Sequence, residues 1–236
     1  MNGRNLALCP VYNERDFLEK FYARLRAHYD GDVLFVDDGS TDGSGQILRQ
    51  MCDQGTLLLR HPARIGYGAA LRSGFECALK NNYEKIVTLD ADLQHDPGEI
   101  AIFLRMLAEY EVVLGSRYMR GVARTDAPPE RIVINRYISG LMRALFSVSY
   151  TDPFCGFRGY RGSFLKKVRL RENGYGLGLE ILIELVRTAT PFREIPVEAI
   201  YVNSQRAFLD GLDDPRRRLL YYLDIVSQKR GQATFS

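Results

Sequence analysis

The sequence predicts an α/β fold in which helices cover both faces of a mostly parallel central sheet. Short apolar runs alternate with helical patterns through the first half of the 236-residue chain. Polar residues or glycines bound each apolar run, which is typical of strands. The strand–helix–strand order repeats four times, and this rhythm indicates parallel strands joined by helices that pack on the sheet.

The elements follow one another in a regular order. The predicted strands cover residues 6–11, 33–36, 56–59, 86–89 and 112–114. The predicted helices between them cover residues 14–28, 43–54, 67–81 and 97–109. Pro97 directly after Asp96 is typical of a capped helix start. From Gly121 onward the pattern becomes α+β, with helices predicted at 132–146 and 179–187 and a strand at 156–161.

Composition and charge limit the class of protein. The chain is 46% apolar and 26% charged, which excludes collagen, coiled coil and wholesale disorder. No stretch approaches the roughly 20 apolar residues of a membrane-spanning helix, and the first residues lack the apolar region of a signal peptide. The 4 cysteines form no C-x-x-C pair, so neither a zinc site nor a disulfide framework is expected. A formal charge of +3 gives no argument for nucleic acid as a partner, and we expect a cytoplasmic protein.

Polar residues collect where the predicted strands end. Ligands of open α/β sheets bind beyond the carboxyl ends of the strands. The segments that follow strands one, two, four and five are Pro10-Val11-Tyr12-Asn13-Glu14, Asp37-Asp38-Gly39-Ser40, Asp90-Ala91-Asp92 and Gly115-Ser116-Arg117. Each segment alone is also ordinary turn or cap chemistry, whereas four of them at one edge of a sheet indicate a site.

Asp90 and Asp92 form the sharpest feature of this edge. Residues two apart on a strand project to one side, about 6 to 7 Å apart, so both carboxylates can approach one ligand. A divalent cation such as Mg2+ or Mn2+ would relieve their repulsion and would share its oxygen ligands with substrate phosphates. Gln94 would add a carbonyl oxygen. A lone D-x-D is also common as two solvated loop acids, and here the neighbouring clusters favour the metal.

Two common nucleotide-binding motifs are missing from the sequence. There is no G-x-x-x-x-G-K-S/T, which argues against P-loop hydrolysis. Gly66-x-Gly68 is followed by Leu71 where a dinucleotide fingerprint has its third glycine. We therefore expect a nucleotide whose base lies near Tyr12 and Asp38 and whose diphosphate is held by a metal.

Taken together, the motifs resemble those of family 2 glycosyltransferases of the GT-A fold. They read Pro10-Val11-Tyr12-Asn13-Glu14, Val36-Asp37-Asp38-Gly39-Ser40-Thr41-Asp42, Gly66-x-Gly68, Asp90-Ala91-Asp92-Leu93-Gln94-His95-Asp96-Pro97 and Gly115-Ser116-Arg117-Tyr118. Asp152-Pro153-Phe154-Cys155-Gly156-Phe157-Arg158 resembles the D-x-x-x-G-F-R segment of the dolichyl- and polyprenyl-phosphate sugar transferases within that family. The resemblance implies a Rossmann-like three-layer sandwich and extends from about Leu6 to Arg161.

The resemblance also implies a role for individual residues. The implied nucleotide-binding residues are Pro10, Tyr12, Glu14, Asp37, Asp38 and Asp90, and the implied metal ligands are Asp90, Asp92 and Gln94. Arg117 matches a family arginine that contacts phosphate and is expected to act in catalysis with Asp92. A second phosphate-binding arginine is expected about twenty residues further on, where Arg136 is nearest and Arg131 is the alternative. Arg158 of the G-F-R segment is a further phosphate-binding candidate, although arginines are by default solvated surface residues.

Two positions depart from the family pattern. After Val202, lipid-phosphate members commonly carry glycine-serine-lysine, whereas this chain has Asn203-Ser204-Gln205-Arg206. Arg206 is therefore a candidate phosphate contact, although a forked guanidinium is not equivalent to an ammonium. Members that act on hydroxyls often carry a Glu-Asp pair where this chain has a lone Glu180. We expect Glu180 to be a catalytic base, an organiser of the phosphate site, or an acid favoured by the helix dipole.

The carboxyl-terminal segment, residues 213–236, is predicted to be a basic amphipathic helix that follows a catalytic domain of residues 1–212. From Pro215 onward it contains five basic residues and one acidic residue. Its apolar stripe consists of Leu219, Leu220, Tyr222, Leu223 and Val226. Such a helix either lies on an anionic membrane surface or packs on the core with a solvated basic face, and both interpretations stay open.

The function that the resemblance implies is an inverting, metal-dependent transfer of a hexose. The donor would be a nucleotide diphosphate sugar of the GDP-mannose or UDP-glucose type, and the acceptor a polyprenyl or dolichyl phosphate at the cytoplasmic face of a membrane. A transferase that acts on a soluble or polysaccharide hydroxyl is the enzymatic alternative. A non-catalytic nucleotide-sugar-binding protein is the alternative of another class.

Overall fold

One central sheet organises the computed structural model, which describes residues 4–119, 127–198, 200 and 208–230. The strands in these ranges are β1 Asn5–Val11, β2 Asp32–Asp37, β3 Thr56–Arg60, β4 Lys85–Thr88, β5 Val112–Ser116, β6 Arg158–Arg161 and β7 Phe192–Pro196. Their order across the sheet is β3-β2-β1-β4-β6-β5-β7. Strand β6 runs antiparallel to β4 and β5, and the other pairings are parallel. The predicted mostly parallel sheet is confirmed, and its carboxyl edge collects the ends of β1, β2, β4 and β5.

Helices cover both faces of this sheet. They are α1 Arg15–Arg26, α2 Ser44–Met51, α3 Tyr67–Lys80, α4 Ile100–Met106, α5 Pro129–Phe146, α6 Gly162–Leu165, α7 Leu177–Arg187 and α8 Pro215–Arg230. A short 3-10 turn, Pro97–Glu99, precedes α4. The Asp96 side chain accepts a hydrogen bond from the backbone N–H of Gly98, so the predicted cap is present.

The core consists of two apolar clusters, one on each face of the sheet. Because side chains alternate along a strand, Leu6 and Leu8 of β1 belong to one cluster, whereas Ala7 and Cys9 belong to the other. Each central strand is thus buried on both faces, which explains why it appears in the sequence as a continuous apolar run. The result is the three-layer arrangement of helices, sheet and helices that the sequence predicts.

Strand β7 and the short helix α6 were not predicted. The β7 sequence, Phe-Arg-Glu-Ile-Pro, is of mixed polarity and is partly exposed because the strand lies at the edge of the sheet. Pro196 occupies the last position of β7, where a missing N–H costs little on an edge strand.

Helix α8 packs on the core rather than standing apart from it. It lies against α5 and α7 and buries Tyr222, Ile225 and Val226. The Lys229 ammonium forms an ion pair with Glu180 of α7. Helix α8 is therefore packed on the core, as one of its two interpretations expects, and the domain boundary after residue 212 and a membrane contact of its exposed face stay predictions. Within the described ranges, no helix has the length and apolar character needed to cross a membrane.

Candidate active site

A cavity of about 410 Å³ opens at the carboxyl edge of the sheet. Its walls come from the ends of β1, β2, β4 and β5 and from α3, α5, α7 and α8. Nine of the predicted site residues line it, namely Pro10, Tyr12, Glu14, Asp38, Asp90, Asp92, Gln94, Arg117 and Arg158. The polar clusters that the sequence places at separate strand ends thus face one space.

Asp38 fixes the turn at one end of the cavity. Its carboxylate accepts hydrogen bonds from the backbone N–H groups of Ile65 (2.9 Å) and Gly66 (2.8 Å) and lies 2.7 Å from Nδ1 of His61. Gly66 has a φ of 136°, and a Cβ there would lie 2.4 Å from the carbonyl oxygen of Asn173. Only glycine fits this close approach, so Asp38 and Gly66 together set the start of α3 against the cavity.

The two carboxylates of the D-x-D segment are oriented by different donors. The hydroxyl of Tyr67 donates to Oδ1 of Asp90 at 3.0 Å, and the backbone N–H of Gln94 donates to Oδ1 of Asp92 at 2.9 Å. Leu93, between Asp92 and Gln94, has a φ of 60°. This conformation is uncommon for a residue with a Cβ, and residues that adopt it cluster at functional sites.

This donor set fits a hard divalent cation that shares its ligands with phosphate. Mg2+ in nucleotide sites is usually held by one or two carboxylates together with substrate phosphates and waters. Asp90 and Asp92 supply the carboxylates, and Gln94 supplies an amide beside them. Among the residues that the structure describes, no group of three or more His, Cys, Asp or Glu side chains is arranged to hold a metal ion by itself.

Arg117 is held by a buried carboxylate. Its Nε and Nη2 donate to the two oxygens of Asp152 at 2.7 and 3.0 Å, and Nδ2 of Asn135 donates to the same carboxylate at 3.1 Å. Burial acts to raise the pKa of Asp152, but Arg117 outweighs it and holds the pKa below its ordinary value. Asp152 is therefore ionised and fixes the Arg117 guanidinium in the cavity wall.

Arg158 lines the cavity but is engaged by backbone. Its guanidinium donates to the carbonyl oxygens of Cys155 (2.7 Å), Pro153 (2.7 Å) and Gly178 (3.0 Å). These contacts join the segment before β6 to the start of α7. Arg158 thus shapes the wall through three carbonyls, and the expected phosphate contact of Arg158 stays a prediction.

Of the two candidates for the second phosphate-binding arginine, Arg131 is the one that lines the cavity. Arg131 lines the cavity from the first turn of α5, whereas Arg136 is exposed on the helix and does not line it. Five residues along a helix rotate a side chain by more than one full turn, so the two arginines point in different directions. The structure places the alternative, Arg131, at the cavity and Arg136 outside it, and a phosphate contact of either residue stays a prediction. Arg206 lies outside the described residues.

Glu180 and Asp37 are buried behind the wall. The Glu180 carboxylate is fully buried. It accepts hydrogen bonds from the backbone N–H groups of Arg171 and Glu172 and pairs with Lys229. Asp37 is also fully buried, accepts from the backbone N–H of Ser40 at 2.8 Å and pairs with Arg60. Neither residue lines the cavity, so the contacts that the structure shows for Glu180 and Asp37 are structural, and their expected roles toward substrate and nucleoside stay predictions.

Several cavity residues were missed by the sequence reasoning. Tyr67 and Tyr175 stack with ring centroids 5.6 Å apart, and Arg64 lies over the ring of Tyr12 at 5.1 Å. Tyr67 lies between the two glycines of the Gly66-x-Gly68 motif, so the motif carried a signal for it. Arg218 of α8 also lines the cavity. In the sequence, nothing distinguishes it from its neighbours Arg216 and Arg217.

The fold of this chain is the GT-A fold. A crystal structure of glucosyl-3-phosphoglycerate synthase from Mycobacterium tuberculosis, in complex with Mn2+, uridine-diphosphate-glucose and phosphoglyceric acid, superposes with a TM-score of 0.76. The match covers 98% of this chain and 80% of that one at 17% sequence identity, which shows a shared fold.

The sequence comparison then gives the family. The model of glycosyl transferase family 2 matches residues 7–169, and the chain belongs to this family. Among its relatives, the undecaprenyl-phosphate mannosyltransferase of Micrococcus luteus is 31% identical over 200 residues, 82% of each chain. The polyprenol monophosphomannose synthase of Mycolicibacterium smegmatis is 30% identical over 202 residues, 82% of this chain and 76% of the relative.

Proposed function

We propose that this protein is an inverting glycosyltransferase that moves a hexose from a nucleotide diphosphate sugar to a polyprenyl phosphate. The observation that carries the proposal is the placement of the D-x-D carboxylates, Asp90 and Asp92, in the same cavity as Arg117 and Arg131. A site that joins paired carboxylates to cations suits a metal-bound diphosphate beside a second phosphate. The names of the two relatives above support the polyprenyl phosphate acceptor.

The donor would lie along the ends of β1, β2 and β4. Tyr12 and Glu14 follow β1, and Asp38 fixes the turn beside them, so these residues would hold the nucleoside. Asp90, Asp92 and Gln94 would hold Mg2+ or Mn2+, and such an ion would stabilise the charge that develops on the leaving diphosphate. Arg117, fixed by Asp152, would add a preorganised positive charge to the same leaving group.

The reaction would be a single displacement at the anomeric carbon. An oxygen of the acceptor phosphate forms the new bond to this carbon while the bond to the diphosphate breaks, and the diphosphate leaves with the electron pair. Attack from the opposite side inverts the anomeric configuration. A phosphate monoester is already anionic near neutral pH, since its second pKa is about 6, so the step needs no strong general base.

The carboxylates of the cavity agree with a phosphate acceptor. The acidic residues of its described lining are Glu14, Asp38, Asp90 and Asp92. Asp38 is engaged by three donors, and Asp90 and Asp92 belong to the metal segment. Glu180, the candidate base for a hydroxyl acceptor, is buried outside the cavity. This placement favours the phosphate over a sugar hydroxyl.

A polyprenyl acceptor implies contact with a membrane surface. Helix α5 begins at the cavity and carries exposed apolar side chains on its outer face, Val133 (65% exposed) and Tyr137 (54% exposed), beside the exposed Arg136. Apolar and basic residues on one helix face suit an anionic interface. We expect peripheral contact through this face of α5 rather than through the apolar stripe of α8, whose central residues are buried.

Product analysis with a set of acceptors tests the proposal. The protein, Mn2+ and a panel of GDP- and UDP-sugars are incubated with polyprenyl phosphate, with the corresponding polyprenol, or with soluble sugars. We expect a glycosylated lipid phosphate and no product from polyprenol, which differs only by the phosphate. Transfer to a hydroxyl would indicate a transferase that acts on soluble or polysaccharide hydroxyls instead. Donor binding without any transfer would favour a nucleotide-sugar-binding protein.

A further inference from the structure

Arg218 of α8 holds an unsatisfied hydrogen-bond donor in the wall of the cavity. The side chain is 3% exposed and lies in the first turn of the helix. Its Nη1 donates to the carbonyl oxygen of Leu212 at 3.0 Å, while Nη2 is buried without a hydrogen-bond partner in the described structure. A buried charged donor left unpaired is costly, so this position calls for a ligand that accepts hydrogen bonds.

A second arginine faces the same part of the cavity. The guanidinium carbons of Arg131 and Arg218 lie 4.7 and 4.4 Å from the ring centroid of Phe208. The ring attracts both cations, but a ring face supplies no carboxylate or carbonyl oxygen to Nη2. Burial lowers the pKa of Arg218, and the charge of Arg131 acts in the same direction. An anion that accepts hydrogen bonds from both arginines would stabilise these two cations at the cavity.

The surroundings of this pair indicate which kind of anion it would take. Apolar side chains from three elements continue the wall, namely Ile134 of α5, Ile181 of α7 and Tyr222 of α8, together with Phe154. Phe154 and Tyr222 pack with ring centroids 4.4 Å apart. A phosphate with an apolar substituent matches a pair of arginines beside an apolar wall better than a free inorganic anion does.

We infer that Arg218 is a binding residue for the acceptor, and that with Arg131 it holds the phosphate of a polyprenyl phosphate through charge-assisted hydrogen bonds. This inference rests on the proposed function. It adds a residue of α8 to the acceptor site and gives the carboxyl-terminal helix a direct part in substrate binding. A charge-assisted hydrogen bond to a phosphate oxygen would satisfy the Nη2 donor that has no partner in the described structure.

The test replaces Arg218 and an exposed neighbour that carries the same charge. Arg218→Gln removes the charge and the fork, Arg218→Lys keeps the charge alone, and Arg216→Gln is the control, since Arg216 is exposed on the same helix. Steady-state kinetics give the KM for polyprenyl phosphate, the KM for the donor, and kcat. Calorimetry measures the binding of geranylgeranyl phosphate and of inorganic phosphate, and donor binding with Mn2+ checks that each variant is folded.

The inference predicts a change in the KM and the binding affinity for the acceptor only. Arg218→Gln should raise the KM for polyprenyl phosphate and weaken geranylgeranyl phosphate binding about tenfold or more, as loss of a hydrogen bond to a charged group does. Arg218→Lys should fall between wild type and Arg218→Gln, and Arg216→Gln should stay within twofold of wild type. Donor KM should not change.

Four results would overturn it. If Arg218→Gln matches Arg216→Gln while the wild type transfers sugar to polyprenyl phosphate, the inference alone fails. If donor KM rises with acceptor KM unchanged, Arg218 serves the donor diphosphate instead. If inorganic phosphate binds the wild type as tightly as geranylgeranyl phosphate, the apolar wall contributes nothing and the acceptor assignment is wrong. A wild type that neither binds geranylgeranyl phosphate nor glycosylates polyprenyl phosphate refutes the proposed function, and the inference with it.

Discussion

The hydroxyl of Tyr67 donates a 3.0 Å hydrogen bond to Oδ1 of Asp90, the first carboxylate of the D-x-D segment. Tyr67 is the first residue of α3 and stacks on Tyr175 with an interplanar angle of 18°. Burial, followed by the charge of Asp90, raises the pKa of Tyr67 well above its ordinary value, so the phenol keeps its proton. One oxygen of Asp90 is therefore oriented by a fixed donor, as carboxylates that bind metals commonly are.

Tyr67→Phe should weaken the binding of Mn2+ about tenfold or more, because loss of an outer partner of a metal ligand has effects of that size. Calorimetric titration of Mn2+ in the presence of a nucleoside diphosphate measures this directly. Tyr83→Phe is the matched control, since its hydroxyl bonds Asp32 at the opposite edge of the sheet. Equal Mn2+ affinity in the two variants would remove Tyr67 from the metal site.

Asp152→Asn should lower the free energy of unfolding by about 3 to 5 kcal/mol at neutral pH, because it leaves the Arg117 guanidinium without its buried partner. The pKa of Asp152 is below its ordinary value in the folded protein. The stabilisation that ionised Asp152 gives the folded protein is thus present above the pKa of Asp152 in the unfolded chain, about 3.9. It is lost as the pH falls through the pKa of Asp152 in the folded protein. Urea unfolding of wild type and variant should show a gap that narrows below about pH 4, whereas a gap independent of pH would contradict the ion-pair account.

Glu180→Gln should reduce stability rather than turnover. The variant keeps an oxygen acceptor but loses the charge that pairs with Lys229, and a loss of about 2 kcal/mol is expected. Turnover should fall less than tenfold, whereas loss of a general base would lower it by about 10²- to 10⁴-fold. Glu184→Gln, one turn further along α7, is the control. A thousandfold loss of kcat at unchanged stability would make Glu180 the base and the acceptor a hydroxyl.

Replacing Val133 and Tyr137 together by serine should reduce sedimentation with anionic liposomes, and added salt should reduce that of the wild type through screening. Leu57→Ser is the control, because Leu57 is an exposed apolar residue on β3. Unchanged sedimentation of the double variant would place the contact elsewhere on the protein.

The central parallel strands could be predicted from the sequence because they are buried on both faces of the sheet. A continuous apolar run such as that of β1 can be recognised in the sequence without knowing which strands pair with it. Strand β7 was missed because an edge strand of mixed polarity has no such run. The choice between Arg131 and Arg136 required the rotation of α5 relative to the cavity, which local sequence does not set.

Other parts of the site depend on contacts between distant segments. Glu180 looks like a helix-start acid in the sequence, but its role is set by Lys229, 49 positions away. Arg218 stands among other arginines, and only the packing of α8 separates it from them. Motif resemblance located the side of the cavity that strand ends form, whereas the side proposed for the acceptor is assembled from α5, α7 and α8.

The most direct test of the account measures sugar transfer to polyprenyl phosphate by the wild type and by Asp92→Asn across a range of Mn2+ concentrations. We expect wild-type product that depends on Mn2+ and disappears with EDTA. We expect no detectable product from Asp92→Asn, together with a free energy of unfolding within about 0.5 kcal/mol of wild type. Near-normal transfer by Asp92→Asn, or by the wild type in EDTA, would contradict a metal-dependent transferase centred on this carboxylate.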